Sequence, residues 1–151
     1  MKTLGNPREQ KEILDRINSL RPDTPARWGT MSCPQMVCHV SDALRMRLGE
    51  KSVVPLDSWF TRTALKWVAL YLPVHWPHGF KAPKEIDQRG GGTRPEHFEQ
   101  DLQELRELLE RVVNAGPNVA MKHPFFGRIS EREWLRWAYL HTDHHLRQFG
   151  V

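Results

Sequence analysis

The feature that most constrains this chain is a helix-start signature written four times. Asn6-Pro7-Arg8-Glu9, Ser32-Cys33-Pro34-Gln35, Thr93-Arg94-Pro95-Glu96 and Ser130-Glu131-Arg132-Glu133 share one pattern. Each has a side chain able to cap and, three residues on, a Glu or Gln able to reach back. The cap oxygen accepts an amide proton of the first turn, and the later residue accepts one from the cap itself. In three of the four a proline occupies the first turn, where its missing N–H costs little. These signals open helices over residues 7–20, 33–49, 95–114 and 131–149.

The stretches that follow keep a helical period. Ile13, Ile17 and Leu20 face one way on the first. Phe98, Leu102, Leu105, Leu109 and Val112 alternate spacings of four and three, the seam of a helix in a bundle. A fifth helical segment over residues 57–72 carries Phe60, Ala64, Trp67, Val68 and Tyr71 on one stripe, with Leu65, Ala69 and Leu72 apolar beside it. A helix apolar on several sides is either buried or covers a partner, which makes a homodimer one expectation. Residues 73–94 read as a long irregular loop with prolines 73, 77 and 83 and the triplet Gly90-Gly91-Gly92. The triplet follows no strand and lacks phosphate-loop spacing. No alternating strand pattern and no repeat is present. The expected fold is therefore all-α: a four-helix bundle with one added helical segment and a long irregular loop, one domain over residues 1–151.

Composition removes several function classes. The most apolar run, residues 64–74, is too short for a membrane span and contains Lys66. The N-terminus lacks the apolar core of a signal peptide, so a cytoplasmic location is expected. The net charge of +4 is spread along the chain and forms no basic stripe, so neither nucleic acid nor membrane is an expected partner. Cys33 and Cys38 lie on one expected helix, point in different directions, and form no CxxC half-site.

The histidines of the last helix carry the functional signal. Advancing about 100° per residue from Trp134 places Ala138, His145 and Phe149 on one side of the apolar face and Trp137, His141 and Gln148 on the other. Arg132, Glu133, Arg136, Asp143 and Arg147 collect opposite. His141 and His145 thus lie in the middle of the inward face, where an unpaired imidazole costs about 1–3 kcal/mol. Spacing of i, i+4 lets two imidazoles reach one metal ion. The spacing alone is weak, because buried histidines also bond to carbonyls. On the second helix Met36, Val37, Val40, Ala43, Leu44 and Leu48 form the apolar arc. His39 falls at its edge, either turned inward or half-exposed.

These residues resemble a known superfamily. His141-Thr-Asp-His-His-Leu-Arg-Gln148 resembles the HxxxHHxxQ ending of the DinB/YfiT-like proteins, and Arg27-Trp28 with Ser32-Cys-Pro-Gln-Met-Val-Cys-His39-Val resembles their second-helix histidine segment. His123-Pro-Phe-Phe-Gly127 through Trp134, with Leu146-Arg-Gln-Phe-Gly150, looks like one DinB-related family of domains of unknown function. The resemblance implies a four-helix bundle holding one divalent metal, zinc or nickel foremost, with His39, His141 and His145. It also implies a small-molecule substrate. Some superfamily members are thiol-dependent transferases or isomerases, and others carry only the label of metal-dependent hydrolase. The segment 57–72 departs from the simple pattern.

Three nitrogen ligands leave a tetrahedral ion one open position, the layout of a catalytic site. That position suits water, which leads to hydrolysis, or a low-molecular-weight thiol, which leads to transfer. No catalytic group is fixed by sequence; His144, Asp42, Gln148 and His123 are the candidates. Asp42, near His39, could orient a ligand ring. Lys81, Lys84, Arg89 and Arg94 could meet an anionic co-substrate. A metal-binding or stress-related protein without catalysis, and a metal-free helical interaction module, are the alternatives.

Overall fold

A computed structural model of the chain describes residues 1–116 and 122–151. It is all-α. Its helices are α1 (Pro7–Asn18), α2 (Cys33–Leu48), α3 (Lys66–Tyr71), α4 (Phe98–Asn114) and α5 (Glu131–Gln148). A π turn, Thr61–Leu65, runs directly into α3, and a 3-10 turn, Lys84–Ile86, interrupts the long loop. No strand occurs among the described residues, only an isolated bridge between His123 and Gly127. No described helix is long and apolar enough to cross a membrane. Both cysteines are buried free thiols on α2.

Two of the start signals form complete capping boxes. Ser32 and Gln35 exchange bonds at the head of α2, as do Ser130 and Glu133 at α5. Asn6 caps α1 by accepting from the Arg8 amide, but Glu9 bonds the Thr3 amide instead of reaching back to Asn6. The Thr93 signal is not a cap. Helix α4 starts at Phe98, three residues later than the pattern predicts, and His97 provides no side-chain cap. Thr93 is committed elsewhere: its amide and hydroxyl both bond Asp42 of α2, at 2.8 and 2.7 Å.

Helix α2 is the centre of the bundle. It packs along α4 on one side and α5 on another, while α5 also meets α1 and α3. Every residue from Met36 to Leu44 is buried. Ile13 and Ile17 of α1 and Leu105 and Leu108 of α4 close the core. Each such side chain stabilises the fold by about 1.5–3 kcal/mol relative to exposure. The third side of α2 is covered by the loop between α3 and α4, where Ile86 and Gln88 are buried.

One expectation about a face is corrected, and one alternative about another is narrowed. Arg136, grouped with the solvent face of α5, is 8% exposed. Its guanidinium donates to the carbonyls of Leu70 at 3.0 Å and of Lys2, so it ties α3 and the N-terminus to α5. The segment leading into α3 is apolar on several sides yet mostly uncovered. Only Leu70 is buried there, and Trp59, Phe60, Trp67 and Tyr71 stay exposed.

Candidate metal centre

Helix α5 carries His141 and His145 one turn apart on its inward side, and α2 brings His39 against them. Ring centroids lie 4.7 Å apart for His141 and His145, 4.7 Å for His39 and His145, and 5.1 Å for His39 and His141. Imidazoles sharing one zinc at bonds of about 2.0–2.1 Å have centroids about 5 Å apart. One ring nitrogen from each histidine lies within 4.8 Å of the other two. His39, placed at the edge of its apolar arc by sequence, is only 4% exposed. Its cover comes from the His141 and His145 rings of α5 and from the Ile86 carbonyl of the long loop.

The tautomers of two rings follow from their neighbours. His39 Nδ1 sits 2.7 Å from the Ile86 carbonyl, which only accepts, so Nδ1 carries the proton. His145 Nδ1 sits 2.8 Å from Gln148 Oε1. The Gln148 amide is oriented by its other end, whose Nε2 donates to the Trp28 carbonyl at 2.9 Å. Nδ1 of His145 is therefore also the donor. Both rings keep Nε2 as a lone pair, and an N–H fixed by a carbonyl or amide is how metal-ligating histidines are commonly held. His141 is stacked on Trp137, with centroids 4.9 Å apart and planes 12° from parallel.

Burial pushes the pKa of all three rings down. For His141 the drop is large, and the neighbouring His145 and His39 add to it by disfavouring a second positive charge. For His145 burial and His39 act together, opposed by the bond to Gln148. For His39 the bond to Ile86 opposes burial without cancelling it. Neutral imidazole is the form that can ligate a metal, so the cluster is in that form near neutral pH.

The other candidates divide. His144 packs beside the cluster, 5.2 Å from His145, with Trp28 at 5.9 Å, Trp76 at 6.2 Å and His78 at 6.2 Å between ring centroids. Its Nδ1 is buried with no hydrogen-bond partner among the described residues, and burial pushes its pKa to about 4. Trp76 also lies 6.3 Å from His141, anchored by its indole N–H to the Ala69 carbonyl at 3.0 Å. His78 stacks on Trp28 at 4.0 Å. Two indoles and two imidazoles thus pack together beside the cluster.

Gln148 is committed to His145 and the Trp28 carbonyl, and so orients a ring. Asp42 does not orient His39. Its fully buried carboxylate holds Thr93, Arg45 at 3.0 Å and Lys51 at 2.9 Å, and so fastens the loop to α2. The ring-orienting task expected of Asp42 falls to the Ile86 carbonyl, which that loop delivers. His123 is separated from His141 by the Trp137 ring, which is 4.9 Å from each. Its Nδ1 accepts from the Phe125 and Phe126 amides at 3.2 Å, and burial pushes its pKa to about 3. It closes the turn over residues 123–127. Lys81, Lys84, Arg89 and Arg94 are exposed, and Arg89 bonds Thr30.

Sequence reasoning missed Ile86, Trp28 and Trp76. One signal was available for Trp28: Gly29 follows it. Gly29 has φ +79, and a Cβ there would lie 2.6 Å from Gln148 Nε2. Glycine is what lets the Trp28 carbonyl meet that amide.

Fold and site together define an all-α protein with a cluster of three neutral histidines, His39 and His145 buried and His141 partly so, the two buried rings held by second bonds. Over residues 8–150 the chain matches the family described as Protein of unknown function (DUF1569), and it belongs to that family. No curated protein and no solved structure matches it.

Proposed function

We propose that the protein is a metal-dependent enzyme of DinB-like type, acting on a small molecule through an ion held by His39, His141 and His145. The observation that carries this reading is the pair of fixed tautomers. His39 and His145 each donate an Nδ1–H hydrogen bond to a fixed acceptor, which leaves a lone pair on Nε2 of two rings in a cluster whose ligand nitrogens lie within 4.8 Å of one another. The single N–H of the His141 ring can satisfy at most one of these two lone pairs, and a metal ion satisfies both. The donor set suits zinc or nickel. A bound divalent ion supplies Lewis acidity toward a water molecule or a small-molecule thiol.

The residues around it have separable tasks. Ile86 and Gln148 orient two of the rings. Trp137 supports the third by stacking. Trp28 and Trp76 restrict water and present flat apolar walls to a substrate. His144, packed beside the cluster with an Nδ1 that has no hydrogen-bond partner among the described residues, is the ring assigned to move a proton to or from the substrate. Hydrolysis and thiol transfer both fit this arrangement, and the loop cations give an anionic thiol a surface to approach.

Metal analysis of protein purified without chelator tests the reading. The expected content is near one equivalent of transition metal. Content below about 0.2 equivalents, or content unchanged by His141→Ala with His145→Ala, refutes it. A panel of thiol and electrophile pairs, run beside activated esters and amides, then distinguishes transferase from hydrolase. Absence of metal-dependent turnover in both sets favours a metal-binding protein without catalysis.

A further inference from the structure

The helical run over residues 59–71 is built inside out. Its inward side supplies one fully buried residue, Leu70. Its outward side carries Trp59 at 80% exposure, Phe60 at 58%, Trp67 at 57% and Tyr71 at 41%. At about 200 Å² for each aromatic side chain, these four rings leave nearly 500 Å² of apolar surface in water. Such a patch is at the upper end of what a monomer keeps exposed, and it amounts to more than half of the area one partner contributes to a stable pair, about 800 Å².

We infer that this face is the contact between two copies of the chain. Its order is self-complementary. Trp59 and Trp67 lie equally far in sequence on either side of Thr63, next to Ala64, both exposed and small. A two-fold axis crossing near Thr63 sets Trp59 of one copy against Trp67 of the other, with the small residues allowing close approach of the helices. The charges beside the stripe are already neutralised: Arg62 pairs with Asp57, and Lys66 with Glu133 at 2.9 Å. That suits the charge-poor centre of a protein interface. It does not suit an anionic lipid surface, which attracts unpaired lysines and arginines. The inference is independent of the metal reading, since none of these residues belongs to the cluster.

Sedimentation velocity of the full chain at about 50 μM is the test, with Trp67→Glu and Trp59→Ser as separate variants. The wild type is expected at twice its chain mass of 17.7 kDa, and both variants near the chain mass itself, with unchanged helical circular dichroism. Both positions are exposed, so folding is retained. A wild type that sediments as a monomer overturns the inference, as do folded variants that remain dimeric. Flotation of a monomeric wild type with vesicles of phosphatidylcholine and phosphatidylglycerol overturns it in favour of a membrane surface.

Discussion

Gln148→Leu probes the link between the fold and the cluster. Leucine keeps the volume but removes two bonds: the Oε1 acceptor for His145 Nδ1–H at 2.8 Å and the Nε2 donor to the Trp28 carbonyl at 2.9 Å. Gln148 is 4% exposed, so water does not readily replace either. Leaving the buried His145 N–H unpaired costs about 1–3 kcal/mol, and the part-buried Trp28 carbonyl adds to that. A stability loss of about 2–4 kcal/mol is expected after partial relaxation. The ring of His145 is also freed to turn. Loss of such an orienting partner weakens metal affinity by about 10–100-fold, or about 1.4–2.7 kcal/mol. Urea unfolding reads the first effect, and competition with a chelating indicator dye reads the second. Gln148→Glu separates them. It keeps an acceptor for His145, so metal affinity recovers to within a few-fold of wild type, while the lost donor to Trp28 leaves stability reduced. If Gln148→Leu binds metal as tightly as wild type while His145→Ala does not bind, then Gln148 does not hold the ring and the tautomer argument fails.

Acid should destabilise the metal-free protein. His123 is neutral in the fold, with its pKa pushed to about 3 from an ordinary 6.5, so only the unfolded chain takes up its proton as pH falls below 6.5. The sign is loss of stability on acidification, about 2 kcal/mol at pH 5 from His123 alone. His141 and His145 act in the same direction, so an unchanged urea midpoint between pH 7.5 and pH 5 would contradict their burial. Asp42→Ala strips the carboxylate from Thr93, Arg45 and Lys51 and is expected to cost about 3 kcal/mol in the same assay. It should also lower metal affinity, because the loop that brings the Ile86 carbonyl to His39 loses its anchor; affinity equal to wild type would sever that connection. Gly29→Ala forces a Cβ into positive φ against Gln148, so it should lower the melting temperature and weaken metal binding together. A loss of only one of the two would show that Gly29 is not tied to the ring.

The parts of this molecule legible in sequence are those written locally. The capping boxes at Ser32 and Ser130 concern residues three apart and formed as read. The inward placement of His141 and His145 is a matter of phase along one helix. The misreadings share a different cause. Thr93 has the pattern of a cap, but its oxygen and amide are claimed by Asp42, which is 51 residues away. Arg136 has the phase of a solvent residue, but the carbonyls of Leu70 and Lys2 come to it from 66 and 134 residues away. A local code cannot specify a partner whose distance in sequence it does not contain.

The same distinction explains why His39 was the least legible of the three histidines. Its helix sets its phase at the edge of the apolar arc, and nothing within one turn covers it. What buries it is the face of α5 together with the chain between α3 and α4, which Asp42 fastens to α2 one turn from the ring it shields. Asp42 and His39 are thus neighbours in sequence that act through a segment remote from both: the carboxylate fixes Thr93, the segment carries Ile86, and the Ile86 carbonyl accepts the hydrogen bond from His39 Nδ1–H. The long loop, irregular by composition, is thereby a structural wall of the cluster. Its glycines serve that wall: a Cβ on Gly92 would come 2.7 Å from the Asp87 carbonyl carbon, so the turn beside the anchor closes only around a residue without one. Without this turn His39 would keep its place on α2 and lose the acceptor that leaves its Nε2 free.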